Sequence, residues 1–327
     1  MEHGPAVTLA DILAARRTIA PHIWRTPLIH SAALSARTGA DVYLKLECWQ
    51  RTGSFKVRGA LFKLGTLPAE ASRRGLVTAS AGNHGLGVAY ASQVLGAPRA
   101  TIFVPETTPQ AKIQHLAAYD CEVRRAGADY DASHALAEAF AREQGALYIS
   151  AYDDPVVIAG QGTVGLEVME ELPDADLCLV PVGGGGLIAG TSVAAKAIHP
   201  ATRMLGVQPL ASPSAFLSFR DGHAYETYDA GPTICDGLAG GFGRLPFEIA
   251  ADLVEGVLVV SDAAVRRAVG WLVAHEQLLA EGSAAIAIAP LLDGELDVAG
   301  QKVVAVLTGR NIDANLLQDI LQERRER

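Results

Sequence analysis

The chain has 327 residues, a formal net charge of −9 at pH 7, 50% hydrophobic residues and 19% charged residues. This balance is typical of a folded α/β protein with enough chain for two lobes, each with a sizeable core, and it excludes a disordered chain. Because the net charge is negative and no block of basic residues stands out, nucleic acid is not expected as a partner.

Three further features concern the cell compartment. The four cysteines are far apart and form no metal-ligand spacing, so we expect reduced and mostly buried thiols. The longest apolar runs, such as residues 284–292, are far shorter than the ~20 residues that span a bilayer. Residues 1–5 lack a basic stretch followed by an apolar core, so a cytoplasmic protein without a membrane partner is predicted.

Helices and strands alternate along the chain, which predicts mostly parallel sheets with helices on their faces. Thr8 and Asp11 form a capping pair for a first helix that must end near Pro21. Ser261 is the expected cap of a long helix that reaches about Leu279. The remaining elements are predicted as strands at 100–105, 121–123, 146–150, 177–182, 204–207 and 302–307, with helices at 110–119, at 132–144 and from 187 onward.

One lysine stands in a distinctive segment, Thr52-Gly53-Ser54-Phe55-Lys56, and helix-forming residues follow it. A lysine amine forms a Schiff base with an aldehyde cofactor if it is close to the aldehyde and partly desolvated. Taken alone, a lysine is more often a solvated surface charge. The chemical interpretation therefore depends on what else the fold brings to Lys56.

Two glycine-rich turns could complete such a site. One spans residues 80–85 and contains a Gly-Asn-His sequence; the other is a four-glycine run, Gly183 to Gly186, between a predicted strand and a predicted helix. Backbone N–H groups without side chains can surround a phosphate, and the following helix N-terminus favours its charge. Neither the dinucleotide fingerprint nor the nucleotide-triphosphate loop motif is present, so a nucleotide site is disfavoured.

Taken together, these segments resemble the fold-type II pyridoxal-phosphate enzymes, and among them the serine/threonine dehydratase and serine racemase branch. The resemblance covers nearly the whole chain, and its further motifs lie at residues 25–28, 44–47, 160–163, 233–239 and 307–311. It implies a two-lobed α/β fold of the tryptophan synthase β-like kind, each lobe a mostly parallel sheet flanked by helices. Residues 1–74 plus 150–327 would form the large lobe and residues 75–149 a small mobile lobe, in a homodimer.

The resemblance also implies pyridoxal 5′-phosphate as cofactor and assigns roles around it. Lys56 would hold the cofactor and act as the catalytic base, with Phe55 against one face of the ring. Asn83 would hydrogen-bond the phenolic oxygen, and Thr308 would be the partner of the pyridine nitrogen. The phosphate would be held by Gly183, Gly184, Gly185, Gly186 and Leu187.

The substrate is expected to be an amino acid whose carboxylate meets the first glycine-rich turn. The residues implied there are Ser80, Ala81, Gly82 and His84, and Glu281 is expected to approach the ring. His84 taken alone would more often be a turn or core histidine. Racemases of this branch carry an acid/base serine where this chain has Ala81, which argues against racemisation because alanine cannot carry a proton.

Three other positions depart from the family pattern. Where relatives usually have Ser-Gly-Gly-Asn, this chain has Thr308-Gly309-Arg310-Asn311. Arg310 could pair either with an acid group of the substrate or with a surface carboxylate. Many relatives place a Glu and an Asp where Gln208 and Ser214 stand, and these neutral groups offer a hard cation no carboxylate. No metal site is therefore predicted.

The resulting prediction is β-elimination from a β-hydroxy amino acid such as L-threonine or L-serine, which yields a 2-oxo acid and ammonia. A specialised dehydratase of ectoine utilisation, or one acting on hydroxyaspartate or phenylserine, remains an alternative. β-Replacement and amino-acid racemisation are further alternatives. A metabolite-binding protein without catalysis is opposed by the intact Lys56, Asn83 and phosphate loop.

Overall fold

The computed structural model describes residues 6–325 of the chain. Residues 1–5, on which the predicted compartment partly rests, lie outside the described residues. None of the helices within 6–325 combines the length and the apolar character needed to cross a membrane.

The strands form two sheets. In chain order they are β1 (Leu28–His30), β2 (Asp41–Lys45), β3 (Leu76–Ala79), β4 (Ala100–Val104), β5 (Cys121–Arg125), β6 (Leu147–Tyr148), β7 (Leu177–Pro181), β8 (Arg203–Pro209), β9 (Gly256–Val260) and β10 (Lys302–Val306). The first sheet has the order β1-β2-β10-β7-β8-β9, and the second has the order β5-β4-β3-β6. Among the described strands, every pairing is parallel except that of β1 with β2.

Helices flank both sheets. In chain order they are α1 (Leu9–Ile19), α2 (Ala32–Thr38), α3 (Lys56–Gly65), α4 (Ala69–Ser72), α5 (Asn83–Val94), α6 (Gln110–Leu116), α7 (Tyr130–Gln144), α8 (Pro155–Glu171), α9 (Gly186–Ile198), α10 (Ser214–Asp221), α11 (Arg244–Ala250), α12 (Asp262–Trp271), α13 (Gly282–Ala285), α14 (Ala289–Asp293) and α15 (Ala314–Arg325). The predicted α/β class with two parallel sheets is confirmed. The lobe boundaries proposed at residues 75 and 149 stay a prediction.

The first helix begins as its capping pair predicts. The Asp11 backbone N–H donates to the Thr8 hydroxyl oxygen at 3.3 Å, and the Thr8 backbone N–H donates to the Asp11 carboxylate at 2.8 Å. This reciprocal capping satisfies N–H groups that have no partner inside the helix. The helix ends at Ile19, just before Pro21, as expected.

The long helix predicted after Ser261 is shorter than expected. Ser261 does cap α12, with the Ala264 N–H donating to its hydroxyl at 3.3 Å, but the regular helix stops at Trp271. A wider π-helical turn follows over Leu272–Glu276, and Gln277 then adopts a φ of 52°. A residue in this left-handed region ends a helix. The prediction to Leu279 was therefore wrong.

The central strands β10, β7 and β8 of the six-stranded sheet are buried on both faces, as their apolar runs require. Val304 and Val306 of β10 pack into one core cluster with α1, α8 and α9, while Val303 and Ala305 pack into the cluster on the other face. Successive strand residues point to opposite faces, so a strand covered on both sides has no polar alternation. This explains why residues 302–307 are apolar after Lys302.

A buried ionic cluster lies beneath the first turn of α3. The Arg58 guanidinium donates to Glu47 at 2.8 Å and to Glu167 at 2.7 Å, and the Lys45 amine donates to Glu167 at 2.7 Å. All four side chains are buried. Two positive and two negative charges balance, and the contacts join β2, α3 and α8. The backbone around Lys56 is thus fixed from below.

We expect Arg58→Met to lower the free energy of unfolding by ~3–5 kcal/mol, because it leaves two buried carboxylates with only Lys45 to balance them. Arg203→Met is the control, since it removes an exposed pair with Glu255 and should cost under ~1 kcal/mol. Equilibrium urea unfolding followed by circular dichroism measures both values. Equal losses in the two variants would contradict the assignment of a buried cluster.

Candidate active site

Lys56 is the first residue of α3, and its side chain is partly buried. The amine donates to the backbone carbonyl of Ala151 at 3.2 Å. Desolvation by burial lowers the pKa of Lys56 to about 8, although the Glu281 carboxylate acts in the opposite direction. Relative to an ordinary lysine, this makes the neutral nucleophilic form roughly 10²-fold more abundant near neutral pH.

The loop before Lys56 is joined to the end of β10. The Phe55 N–H donates to the Thr308 carbonyl at 3.1 Å, and Ser54 forms an isolated antiparallel bridge with Gly309. The Phe55 ring centre is 5.3 Å from the Lys56 amine nitrogen. Two segments that are about 250 residues apart in sequence therefore form one wall of the site.

Asn83 and His84 are the first two residues of α5, directly after the turn that follows β3. The His84 Nε2 lies 3.0 Å from the Ile149 carbonyl oxygen, which can only accept, so Nε2 carries the proton. Burial, with a contribution from the charge of Lys56, lowers the pKa of His84 to about 3. His84 is thus neutral, and its buried Nδ1 has no partner among the described residues.

The remaining residues of that turn serve its geometry. The Gly82 N–H donates to the Ser80 hydroxyl at 3.2 Å, and Ala81 packs against the apolar cluster that includes Leu86 and Ile102. Their predicted role toward a substrate carboxylate stays a prediction.

The four glycines lie between β7 and α9. A Cβ atom at Gly184 would lie 2.3 Å from the Tyr152 ring, so a side chain there would displace that ring. Gly185 has a φ of 95°, and no side-chain hydrogen bond caps α9 among the described residues. Uncapped N–H groups at the start of a 13-residue helix, next to bare backbone, fit the donor set that a phosphate needs.

Thr308 and Glu281 lie beside the lysine loop. The Thr308 hydroxyl is buried and donates to the Ser283 carbonyl at 3.2 Å. The Glu281 carboxylate is also buried and accepts from the Asn83 side-chain N–H at 2.7 Å. Burial, reinforced by Asp236, raises the pKa of Glu281 to about 7. The site therefore holds two groups, Lys56 and Glu281, that titrate close to neutral pH.

The backbone and the side chain of Arg310 have different surroundings. Its backbone N–H donates to the Gly53 carbonyl at 2.9 Å, while its side chain lines a surface pocket with Trp24 and Trp49. Within residues 6–325 it has no carboxylate in ion-pair contact. Its role stays a prediction.

Gln208 and Ser214 satisfy each other where relatives carry carboxylates. The Gln208 side-chain N–H donates to the Ser214 hydroxyl at 3.3 Å, and its carbonyl oxygen accepts from the Ala215 N–H at 2.9 Å. The absence of a cation site stays a prediction.

Sequence reasoning gave no role to two residues of this region. Asn311 donates a side-chain hydrogen bond to Asn83 at 2.6 Å, and Tyr152 covers the glycine loop. Asn311 was part of the motif after the last strand, but its contact with Asn83 spans 228 residues. A pattern along the chain does not indicate such a contact.

Comparison with known proteins gives a consistent result. A family model described as pyridoxal-phosphate dependent enzyme matches residues 19–309. An L-threonine ammonia-lyase from Thermotoga maritima is 42% identical over 97% of this chain and 79% of its own length. The catabolic L-threonine dehydratase TdcB of Escherichia coli is 38% identical over 96% of both chains.

Solved structures agree with the fold. The processed form of threonine deaminase isoform 2 from Solanum lycopersicum superposes with a TM-score of 0.91 at 35% identity, covering 96% of this chain and 86% of that chain. Maize serine racemase superposes with a TM-score of 0.89 at 32% identity, covering 98% of each chain.

The environment of Lys56 predicts unusual labelling by formaldehyde and borohydride, which modify only the neutral amine. In the cofactor-free protein we expect half-maximal labelling of Lys56 near pH 8, because burial lowers its pKa to about 8. Lys302 is the control, since its ion pair with Asp174 raises its pKa and delays labelling to higher pH. Peptide mapping by mass spectrometry after brief labelling across pH 6–11 gives both profiles. Coincident profiles would contradict a desolvated Lys56.

Proposed function

This chain belongs to the family of pyridoxal-phosphate dependent enzymes, and from that premise we propose that it removes water from a β-hydroxy amino acid and releases ammonia. L-Threonine or L-serine is the proposed substrate, and the product is a 2-oxo acid. The observation that carries the proposal is the partly buried Lys56, with its lowered pKa, among the segments named above. Curated relatives that are 42% and 38% identical are threonine ammonia-lyases and dehydratases.

The residues present fit the cofactor. Lys56 supplies the amine for its aldehyde, and the backbone of Gly183 to Gly186 with Leu187 supplies N–H donors for its phosphate. Phe55, Asn83 and Thr308 are proposed to contact its ring. When bound, pyridoxal phosphate takes up the substrate amino group and withdraws electrons from the α-carbon.

Lys56 is the proposed general base. A base is most effective when its pKa lies near the working pH, and burial brings that of Lys56 to about 8. The carbonyl of Ala151 holds the amine in place at 3.2 Å. The β-hydroxyl needs one proton in order to leave as water, and the proton that Lys56 removes from the α-carbon balances it. The enamine product then hydrolyses to a 2-oxo acid and ammonia, so no redox partner is required.

His84 does not compete for this proton. Its pKa is lowered to about 3 by burial, and its Nε2–H is held by the Ile149 carbonyl. It is proposed to line the substrate pocket with Ser80, Ala81 and Gly82, where backbone N–H groups of the turn would bind the carboxylate. Ala81 offers no proton on the opposite side, which favours elimination over racemisation.

Thr308 supports elimination in a different way. A hydroxyl, unlike a carboxylate, does not force a pyridine nitrogen to stay protonated, provided that its single proton turns from the Ser283 carbonyl to that nitrogen when the cofactor binds. A ring with an unprotonated nitrogen would take up less of the negative charge that develops at the α-carbon. Loss of a leaving group, which carries that charge away, is then favoured. Glu281 is buried and bonded to Asn83, so it is proposed to act on the ring through that amide.

We extend the proposal to a homodimer in the cytoplasm with a small amino-acid substrate as its partner. The support is the resemblance over nearly the whole chain. A specialised dehydratase of ectoine utilisation, or one acting on hydroxyaspartate or phenylserine, is kept as the second candidate because Arg310 replaces the glycine usual in relatives.

We expect the purified protein with pyridoxal phosphate to release a 2-oxo acid and ammonia from L-threonine or L-serine. Lys56→Ala should lower turnover by at least ~10²–10⁴-fold, because it removes the general base. Lys196→Ala, on the surface of α9, is the control and should keep full turnover. The assay couples 2-oxo acid formation to ammonia release for both substrates.

The same assay with hydroxyaspartate, phenylserine and ectoine-derived amino acids separates the candidates. Turnover confined to one of these would replace the proposed substrate with the specialised one. Undiminished ammonia release by Lys56→Ala would refute the role of Lys56, and no turnover of any substrate would refute the proposed activity.

A further inference from the structure

Three buried or half-buried side chains form a continuous series of hydrogen bonds beside the loop that precedes Lys56. The Asn83 side-chain nitrogen donates to the Glu281 carboxylate at 2.7 Å, and the Asn311 side-chain nitrogen donates to the Asn83 side-chain oxygen at 2.6 Å. The same Asn311 nitrogen donates to the Thr52 backbone carbonyl at 3.0 Å. Loops and helix ends from four parts of the sequence therefore meet in one chain of polar groups.

We propose that Asn311 is a positioning residue that sets the orientation of the Asn83 carboxamide. The inference rests on the proposed function, in which the nitrogen end of Asn83 serves the cofactor. It adds a residue whose side chain has no assigned part in the site.

The donor and acceptor directions in this series of hydrogen bonds are fixed at its Thr52 end. A backbone carbonyl can only accept a hydrogen bond, so Asn311 must turn its NH₂ group toward Thr52. That NH₂ group also faces Asn83, which must therefore present its oxygen. The Asn83 nitrogen is then left to face Glu281, and its second N–H remains available for a ligand.

The opposite orientation of Asn83 is unfavourable at both ends. Its NH₂ group would face the NH₂ group of Asn311, and its oxygen would face the Glu281 carboxylate, which repels it whenever Glu281 is ionised. A carboxamide has nearly the same shape in both orientations, so only its neighbours can select one. Without Asn311, no residue within 6–325 would donate a hydrogen bond to the Asn83 side-chain oxygen.

The backbone next to these hydrogen-bonded side chains has glycine at two positions where a Cβ atom would collide with them. A Cβ atom on Gly309 would lie 2.5 Å from the Glu281 carboxylate oxygen and 3.2 Å from the Asn83 side-chain nitrogen. A Cβ atom on Gly53, which has a φ of 78°, would lie 2.6 Å from the Asn311 side-chain oxygen. The glycine before Lys56 and the glycine after Thr308 thus both leave room for these side chains.

This series of hydrogen bonds also connects the two sheets of the molecule. Asn83 begins α5, which follows β3 of the four-stranded sheet, whereas Asn311 follows β10 of the six-stranded sheet. Asn311 therefore acts on Asn83 across the boundary between the sheets. A substitution that removes its donors is expected to change how Asn83 meets a ligand, with little effect on either core.

The test is a double-mutant cycle with cofactor affinity as its readout. Asn311→Asp keeps the shape but replaces the NH₂ group by a carboxylate oxygen, and it is made alone and together with Asn83→Ala. Cofactor-free protein is titrated with pyridoxal phosphate by visible absorbance, and the melting temperature of each cofactor-free variant is measured. Asn315→Asp, an exposed position four residues further along, is the matched control for the charge change.

We expect Asn311→Asp to weaken the binding of pyridoxal phosphate by ~10-fold, the scale of one lost hydrogen bond. In the Asn83→Ala background the same change should alter affinity by less than ~2-fold, since the residue through which it acts is gone. Asn315→Asp should bind as the wild type does. Should Asn311→Asp not fold, Asn311→Ala replaces it with the same expected non-additivity.

Equal losses of affinity in both backgrounds would show that Asn311 acts on structure in general, and no loss in either would remove it from the site. Either result overturns the inference. If the wild type binds pyridoxal phosphate and Asn83→Ala weakens that binding, such a result leaves the proposed function intact. A wild type that does not bind pyridoxal phosphate overturns the proposed function and the inference together.

Discussion

The site depends on one constraint, the parallel packing of β2, β10 and β7 side by side in the six-stranded sheet. Parallel strands place their carboxyl ends at the same edge, where the segments that follow them meet. The segment after β2 leads to Lys56, the segment after β10 carries Thr308 and Asn311, and the segment after β7 is the glycine run. This arrangement brings together functional residues that are more than 250 positions apart in the sequence.

The pKa values of two neighbouring basic side chains, Lys56 and Arg58, shift in opposite directions. Arg58 is fully buried, but it is held by two carboxylates in direct contact, so its charge is retained. Lys56, two residues earlier, donates to a backbone carbonyl, makes no ion pair within residues 6–325, and feels the charge of Glu281 at longer range. Desolvation is the largest effect on both side chains: it lowers the pKa of Lys56, whereas at Arg58 the attraction of the two carboxylates together with their hydrogen bonds outweighs it and raises the pKa. One helix thus provides both a fixed structural cation and a reactive amine.

The four-stranded sheet contributes the other wall through α5. A Cβ atom on Gly87 would lie 3.1 Å from the Val57 backbone nitrogen, so α5 packs directly on the backbone next to Lys56. His84 and Lys56 bind carbonyls only two residues apart, at Ile149 and Ala151. The segment after β6 therefore fixes the two side chains relative to each other, which explains how a turn in one sheet can serve a lysine attached to the other.

The amino-acid sequence alone determined the α/β class, the cap and end of the first helix, and the motifs around Lys56 and the glycine run. These features are local, because caps, turns and periodic burial depend on residues within a few positions of each other. The break after Trp271, the lowered pKa of Lys56, the neutral state of His84 and the contact of Asn311 with Asn83 were decided by the tertiary structure. Each depends on desolvation or on partners far away in the chain, and only the folded topology brings those partners into contact.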